Sequence, residues 1–123
     1  MPTGLLRGRV YAAYLNHIGQ EKYYLVVSNN RRNAELPQVL AVRLTTSPKP
    51  ARPSIIELDH QGVFTGRVVC DDIEVIYPDE VRRDMGALTR DEMARVDAGL
   101  CAALSLPQPH PVLPSGAAPR NRQ

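Results

Sequence analysis

Tryptophan is absent from this 123-residue chain, cysteine occurs only twice, and no apolar run approaches the roughly 18 residues that a membrane-spanning helix requires. The N-terminus also lacks the apolar stretch and small-residue cleavage site of a signal peptide. These absences predict a cytoplasmic protein with no membrane partner. In a reducing compartment Cys70 and Cys101 are expected as free thiols. Neither is flanked by a histidine or a cation that would activate it, so both are read as packing residues rather than nucleophiles. The length suits one domain with a modest core.

The formal net charge of +2 conceals a division. Residues 1–56 carry 8 Lys and Arg against 2 Asp and Glu, whereas residues 57–106 carry 5 against 11. A cationic first half favours an anionic partner such as nucleic acid. The alternative is that the halves interleave in the fold and neutralise each other.

Strand composition recurs in short stretches: Arg7 to Tyr14, Lys22 to Asn30, Val39 to Ser47, Ser54 to Leu58, Arg67 to Asp71 and Ile73 to Ile76. Loops are expected over Leu15 to Glu21 and Asn29 to Gln38. Pro48, Pro50 and Pro53 exclude a central strand or helix between Thr46 and Pro53. Six short strands predict a small barrel or curled sheet. Helical signal gathers at the end, where Thr89, Arg90, Asp91 and Glu92 form a capping box and Met93, Val96, Leu100 and Leu104 follow at helical spacing. A shorter helical turn is expected from Asp79 to Asp84. Residues 107–123 hold five prolines and no acid, and are read as a disordered tail behind a domain of residues 1–106.

The second and third strands carry most of the functional information. If they pair as antiparallel neighbours with matched ends, facing residue numbers sum to 67, which sets Ser28 against Val39 and Lys22 against Thr45. Directly opposed residues share a face with Cα atoms roughly 4.5–5.5 Å apart. Tyr23, Leu25 and Val27 then face a core with Leu40, Val42 and Leu44. The other face becomes a polar stripe of Lys22, Tyr24, Arg43 and Thr45, suited to a phosphodiester.

Five stretches in this order resemble the MazF/PemK family of toxin endoribonucleases: Arg7-Gly8-Arg9-Val10-Tyr11, Leu25-Val26-Val27-Ser28-Asn29, Val42-Arg43-Leu44-Thr45-Thr46, Val69-Cys70-Asp71-Asp72-Ile73, and Gly86-Ala87-Leu88 through Leu104-Ser105-Leu106. The resemblance spans about residues 5–106. It implies a mainly β, SH3-like barrel or curled sheet with a C-terminal helix, working as a homodimer and neutralised by an antitoxin protein. It also implies cleavage of single-stranded RNA at short sequences without metal or other cofactor, leaving 2′,3′-cyclic phosphate and 5′-hydroxyl ends. The family's basic residue at the start of the second strand and threonine at the end of the third match Lys22 and Thr45, although Arg-Pro is usual where this chain has Lys22-Tyr23. Two other functions fit a fold of this kind: a gyrase-poisoning toxin, which often acts through an exposed tryptophan that this chain lacks, and a non-catalytic barrel that binds RNA or protein.

RNA self-cleavage needs a base for the 2′-hydroxyl, a donor for the leaving 5′-oxygen and stabilisation of charge on phosphorus. Lys22 is expected to supply charge and Thr45 a hydroxyl donor, with Arg43 as neighbour. Glu21 is a candidate to orient Lys22 or to act as base. Of the three histidines, His17 lies in a loop that precedes Lys22 and is a candidate to fold over the stripe as catalytic support, an exposed loop histidine being the alternative; His60 sits in a turn, and His110 falls in the tail. Tyr24 is a candidate to stack on a base, the alternative being that it fills the core. Ser28, Asn29, Arg31, Arg32 and Thr46 complete the expected RNA-binding set, and no metal ligand is expected.

Overall fold

In a computed structural model, which describes residues 4–59 and 62–107, strands β2 (Gln20–Val26) and β3 (Val39–Thr45) pair antiparallel. Tyr23 faces Leu44, Tyr24 faces Arg43, Leu25 faces Val42 and Val26 faces Ala41, so the sum of 67 holds along the ladder. Lys22 and Thr45 stand one step beyond its last pair. At the other end the register breaks. Both Val27 and Ser28 donate their N–H to the Leu40 carbonyl, at 2.9 and 3.3 Å, and the Leu40 N–H turns to Ser28 Oγ at 3.0 Å. Ser28 therefore engages Leu40 instead of facing Val39.

The remaining strands are β1 (Arg9–Leu15), β4 (Ile55–Glu57), β5 (Arg67–Ile76) and β6 (Val81–Ala87), and all six form one antiparallel sheet in the order β4-β5-β3-β2-β1-β6. Two of the strands expected from sequence are a single bent one. In β5 the register slips between the partners Val42 and Arg43, so Cys70, Asp71 and Asp72 bulge out between the pairs Arg43–Val69 and Val42–Ile73. A bulge of this kind bends a strand without ending it, and the acidic pair Asp71-Asp72 mimics a turn in sequence. The turn expected over Asp79 to Asp84 shrinks to a 3₁₀ turn at Pro78–Glu80, and β6 begins at Val81. The polar link after β2 contains a short helix, α1 (Asn30–Glu35), because Asn29 caps it by accepting the Arg32 N–H at 2.8 Å.

Helix α2 (Arg90–Leu104) starts where the capping box predicts. Thr89 Oγ1 accepts the Glu92 N–H at 3.1 Å, and the Glu92 carboxylate accepts the Thr89 N–H at 2.9 Å. Its inner face sets Val96 against the sheet, and Gly99 allows close approach to Cys70 and Ile56.

The sheet is buried on both faces. One core unites Val10, Leu25, Val42, Leu44, Val68 and Cys70 with Phe64, Leu88 and Val96; the other unites Tyr11, Leu15, Tyr24, Val26, Val39, Ala41 and Ile76 with Leu5. The face expected to be a polar stripe is thus mostly interior, and only the strand ends emerge from it.

Candidate active site

The emerging ends of β2 and β3 form a cleft of about 410 Å³, walled by Glu21–Tyr23, Leu44–Ser47 and the Val63–Thr65 segment before β5. Lys22 and Thr45 are both half-buried in it. The Lys22 side chain makes no hydrogen bond or ion pair among the described residues, while its backbone pairs with Ala13 of β1. Thr45 Oγ1 accepts the Ser47 N–H at 3.1 Å, which fixes the oxygen and leaves the hydroxyl proton available to a ligand. The carboxylate in the cleft wall, Glu21, is held by Arg83 at 2.6 Å.

Two residues hold the Thr45–Ser47 turn from behind. Gly66 has φ +90° and lies against the Thr45 carbonyl. Arg67 donates through Nη1 to the carbonyls of Thr46 and Ser47, at 3.2 and 2.9 Å, while its Nε donates to Glu57 Oε2 at 2.8 Å. The fork of one guanidinium thereby ties the turn to β4. Sequence reading missed both residues, although a glycine beside an arginine at the start of a strand is a signal of close backbone approach.

Other expected site residues lie elsewhere. Tyr24 is 1% exposed, so it cannot stack on a base. Among the described residues its hydroxyl has no partner, and burial, aided by Glu74 and Asp72, pushes its pKa up. The neighbouring apolar residues Val26, Val39 and Ala41 share its face and draw it into the second core. Arg43 lies outside the cleft wall, its Nε 3.3 Å from Asp72 Oδ2 but off hydrogen-bonding geometry. His17 turns to Glu74, at 2.9 Å, instead of folding over the cleft. Ser28 is buried, bonded to Asn33 and Leu40, and is structural.

Asn29 caps α1 and Arg32 grips Gln38 through two hydrogen bonds, of 3.0 and 2.8 Å. With Arg31 they lie beyond the end of β2 opposite to Lys22. Thr46 is in the cleft wall. His60, His110 and nearly all of the proline-rich tail lie outside the described residues.

The two charge blocks interleave. Arg7 pairs with Asp97, Arg9 with Asp84, Arg43 with Asp72, and Arg83 with Glu21. Three of the eight cations of the first half, Arg7, Arg9 and Arg43, are thus paired with acids of the second, while Lys22, Arg31, Arg32, Lys49 and Arg52 form no ion pair among the described residues. Among the described residues, no cluster of three or more His, Cys, Asp and Glu side chains is arranged to hold a metal ion, and no helix is long and apolar enough to cross a membrane. Cys70 and Cys101 are both free thiols.

The chain has close counterparts among known proteins. It is 38% identical over 104 residues to endoribonuclease MazF1 of Mycobacterium bovis and to endoribonuclease MazF4 of Mycobacterium tuberculosis, covering 85% of this chain and 96% of each relative. A solved mycobacterial endoribonuclease in complex with its cognate antitoxin superimposes with a TM-score of 0.78 at 37% identity, covering 86% of this chain and 100% of that one. The fold also recurs in a MazE–MazF complex from Deinococcus radiodurans, at 20% identity and a TM-score of 0.68, over 84% of this chain and 97% of that one. Residues 6–104 match the description of a PemK-like, MazF-like toxin of a type II toxin–antitoxin system, and the chain belongs to that family.

Proposed function

We propose that this protein is the toxin of a type II pair, an endoribonuclease that cuts single-stranded RNA at a short specific sequence without a metal ion, as a homodimer held in check by a cognate antitoxin. The observation that carries this reading is the meeting of an unpaired Lys22 with a fixed Thr45 hydroxyl in one cleft. A phosphodiester placed there has a cation for its developing charge and an O–H donor for a non-bridging oxygen. The 2′-oxygen attacks phosphorus, forming the P–O2′ bond as the P–O5′ bond breaks. The products are a 2′,3′-cyclic phosphate and a 5′-hydroxyl. Glu21, paired with Arg83, is assigned the 2′-hydroxyl proton, and a water molecule protonates the departing 5′-oxygen.

The mycobacterial complex supports the antitoxin assignment, and the mycobacterial relatives support RNA as substrate. The test is to incubate the purified chain with mixed-sequence RNA in excess chelator and to identify the new 3′ ends. Cyclic phosphate ends are expected. Intact RNA, or 3′-hydroxyl ends, would overturn the reading.

A further inference from the structure

Tyr23 alternates with Tyr24 along β2, so it belongs to the face of Leu25 and directly opposes Leu44, both of which are core residues. Yet Tyr23 is 37% exposed, whereas Leu25 is fully buried and Leu44 is 7% exposed. The strand runs out of the core at this point and leaves an aromatic ring in the cleft wall, next in sequence to Lys22. Val63, 82% exposed, and the core residue Phe64 stand in the same wall. One part of the cleft is thus polar and cationic, with Lys22, Thr45 and Thr46, and another is apolar and aromatic. Phosphate fits the first and not the second.

From this division we infer that Tyr23 is a stacking platform for a nucleobase next to the scissile phosphate, and so a specificity-determining residue of the site. The inference rests on the proposed cleavage of single-stranded RNA. A nucleotide carries its anionic and aromatic parts a few ångströms apart, and the cleft offers a partner for each. Stacking on an aromatic ring tolerates any base in principle but favours those with larger π faces, purines above pyrimidines. Exposure matters as much as ring type: Tyr24, with the same side chain one residue along, is sealed inside.

Because the chain contains no tryptophan, Tyr23→Trp supplies a single fluorophore at this position. Its emission should be quenched on titration with a non-cleavable 2′-O-methyl RNA oligonucleotide containing the word that the wild type cuts. The same oligonucleotide made abasic beside the cut site should not quench it. In cleavage assays on that word, Tyr23→Ala and Tyr23→Leu should raise KM by about 5- to 150-fold, the effect of removing one stacked base, with kcat changed far less. Tyr23→Phe, which keeps the ring, should restore KM.

An unquenched Trp at saturating oligonucleotide, a wild-type KM for Tyr23→Ala, or equal performance of Leu and Phe would each overturn the inference. Lys22→Ala separates this from the underlying reading. If Lys22→Ala abolishes cleavage while Tyr23→Ala keeps its KM, the stacking role alone falls; if Lys22→Ala cleaves normally, the site assignment falls and takes the stacking role with it.

Discussion

A Cβ atom built on Gly66 would stand 2.3 Å from the carbonyl oxygen of Thr45 and 3.0 Å from its carbonyl carbon. Those are backbone atoms and cannot swing aside. The start of β5 therefore acts as a stop against which the end of β3 rests, and the position of the Thr45 hydroxyl is set from behind by a residue that touches no substrate.

Gly66→Ala should consequently act on activity as well as stability. The positive φ alone strains any L side chain, and the clash adds to it; together they are expected to cost about 1–3 kcal/mol. In a domain of this size each kcal/mol lowers Tm by about 4–8 °C. Well below the new Tm, kcat should still be reduced at least about tenfold, because a misplacement near 1 Å is enough for that. A variant with lowered Tm but wild-type kcat would show that Thr45 tolerates displacement.

Arg67 holds the same turn by its guanidinium. Arg67→Ala removes the donors to the carbonyls of Thr46 and Ser47, which are exposed enough to take water in exchange. The loss of stability should stay below about 2 kcal/mol. The turn should loosen, lowering kcat several-fold with little change in KM. Arg67→Lys should recover only part of this, since a point charge cannot span two carbonyls and the Glu57 carboxylate at once. If Ala and Lys variants were equally active, the fork would have no positioning role.

The register of β2 on β3 was legible because two strands of equal length with apolar alternation on one face leave few ways to pair. The capping box of α2 was legible for a similar reason: its signal is local, held within Thr89 and Glu92. What sequence could not show was how far each face of the sheet is covered. Tyr24 and Tyr23 carry the same side chain, and alternation assigned Tyr23 to the core and Tyr24 to the surface. Packing reverses both outcomes: Leu5, Val39 and Ile76 join Tyr24 in the second core, and along β2 the first core ends at Leu25, two residues from Tyr23. Long-range geometry also decided Arg43 and His17, whose partners Asp72 and Glu74 come from β5, and it created the Gly66–Thr45 contact across a strand pair. Lys22 and Thr45, at matched strand ends, do line one cleft; the residues that hold those ends were not legible.

Cys70 gives a prediction about pH. Burial, with a smaller effect from Asp71 and then Asp97, pushes its thiol up to about 12. In the unfolded chain the same thiol loses its proton near the ordinary value of about 8.5. Above that value the unfolded state binds fewer protons than the folded state, so stability falls as pH rises, by up to about 1.4 kcal/mol per pH unit. Below it the contribution is fully present. Cys70→Ala should begin from a slightly lower stability but fall less steeply over that alkaline range, and denaturant titrations at several pH values would measure the difference in slope. Parallel curves for the two proteins would mean that the thiol ionises as freely in the folded state.

Lys22 and Thr45 provide the sharpest test of shared action. If both serve one phosphate, removing either should lower kcat by about 10²–10³, the usual effect of losing one preorganised donor. Thr45→Ser keeps the hydroxyl and its bond from the Ser47 N–H, so it should retain much of the rate; Thr45→Ala should not. Lys22→Arg should keep a substantial part, because charge is retained while its geometry changes. The double variant Lys22→Ala with Thr45→Ala decides between shared and separate roles. Groups that stabilise the same developing charge lose less together than the sum of their single losses, whereas independent groups add. A double variant about 10³-fold slow, not the roughly 10⁵-fold expected from addition, would place both side chains on one phosphoryl group; strict additivity would separate them.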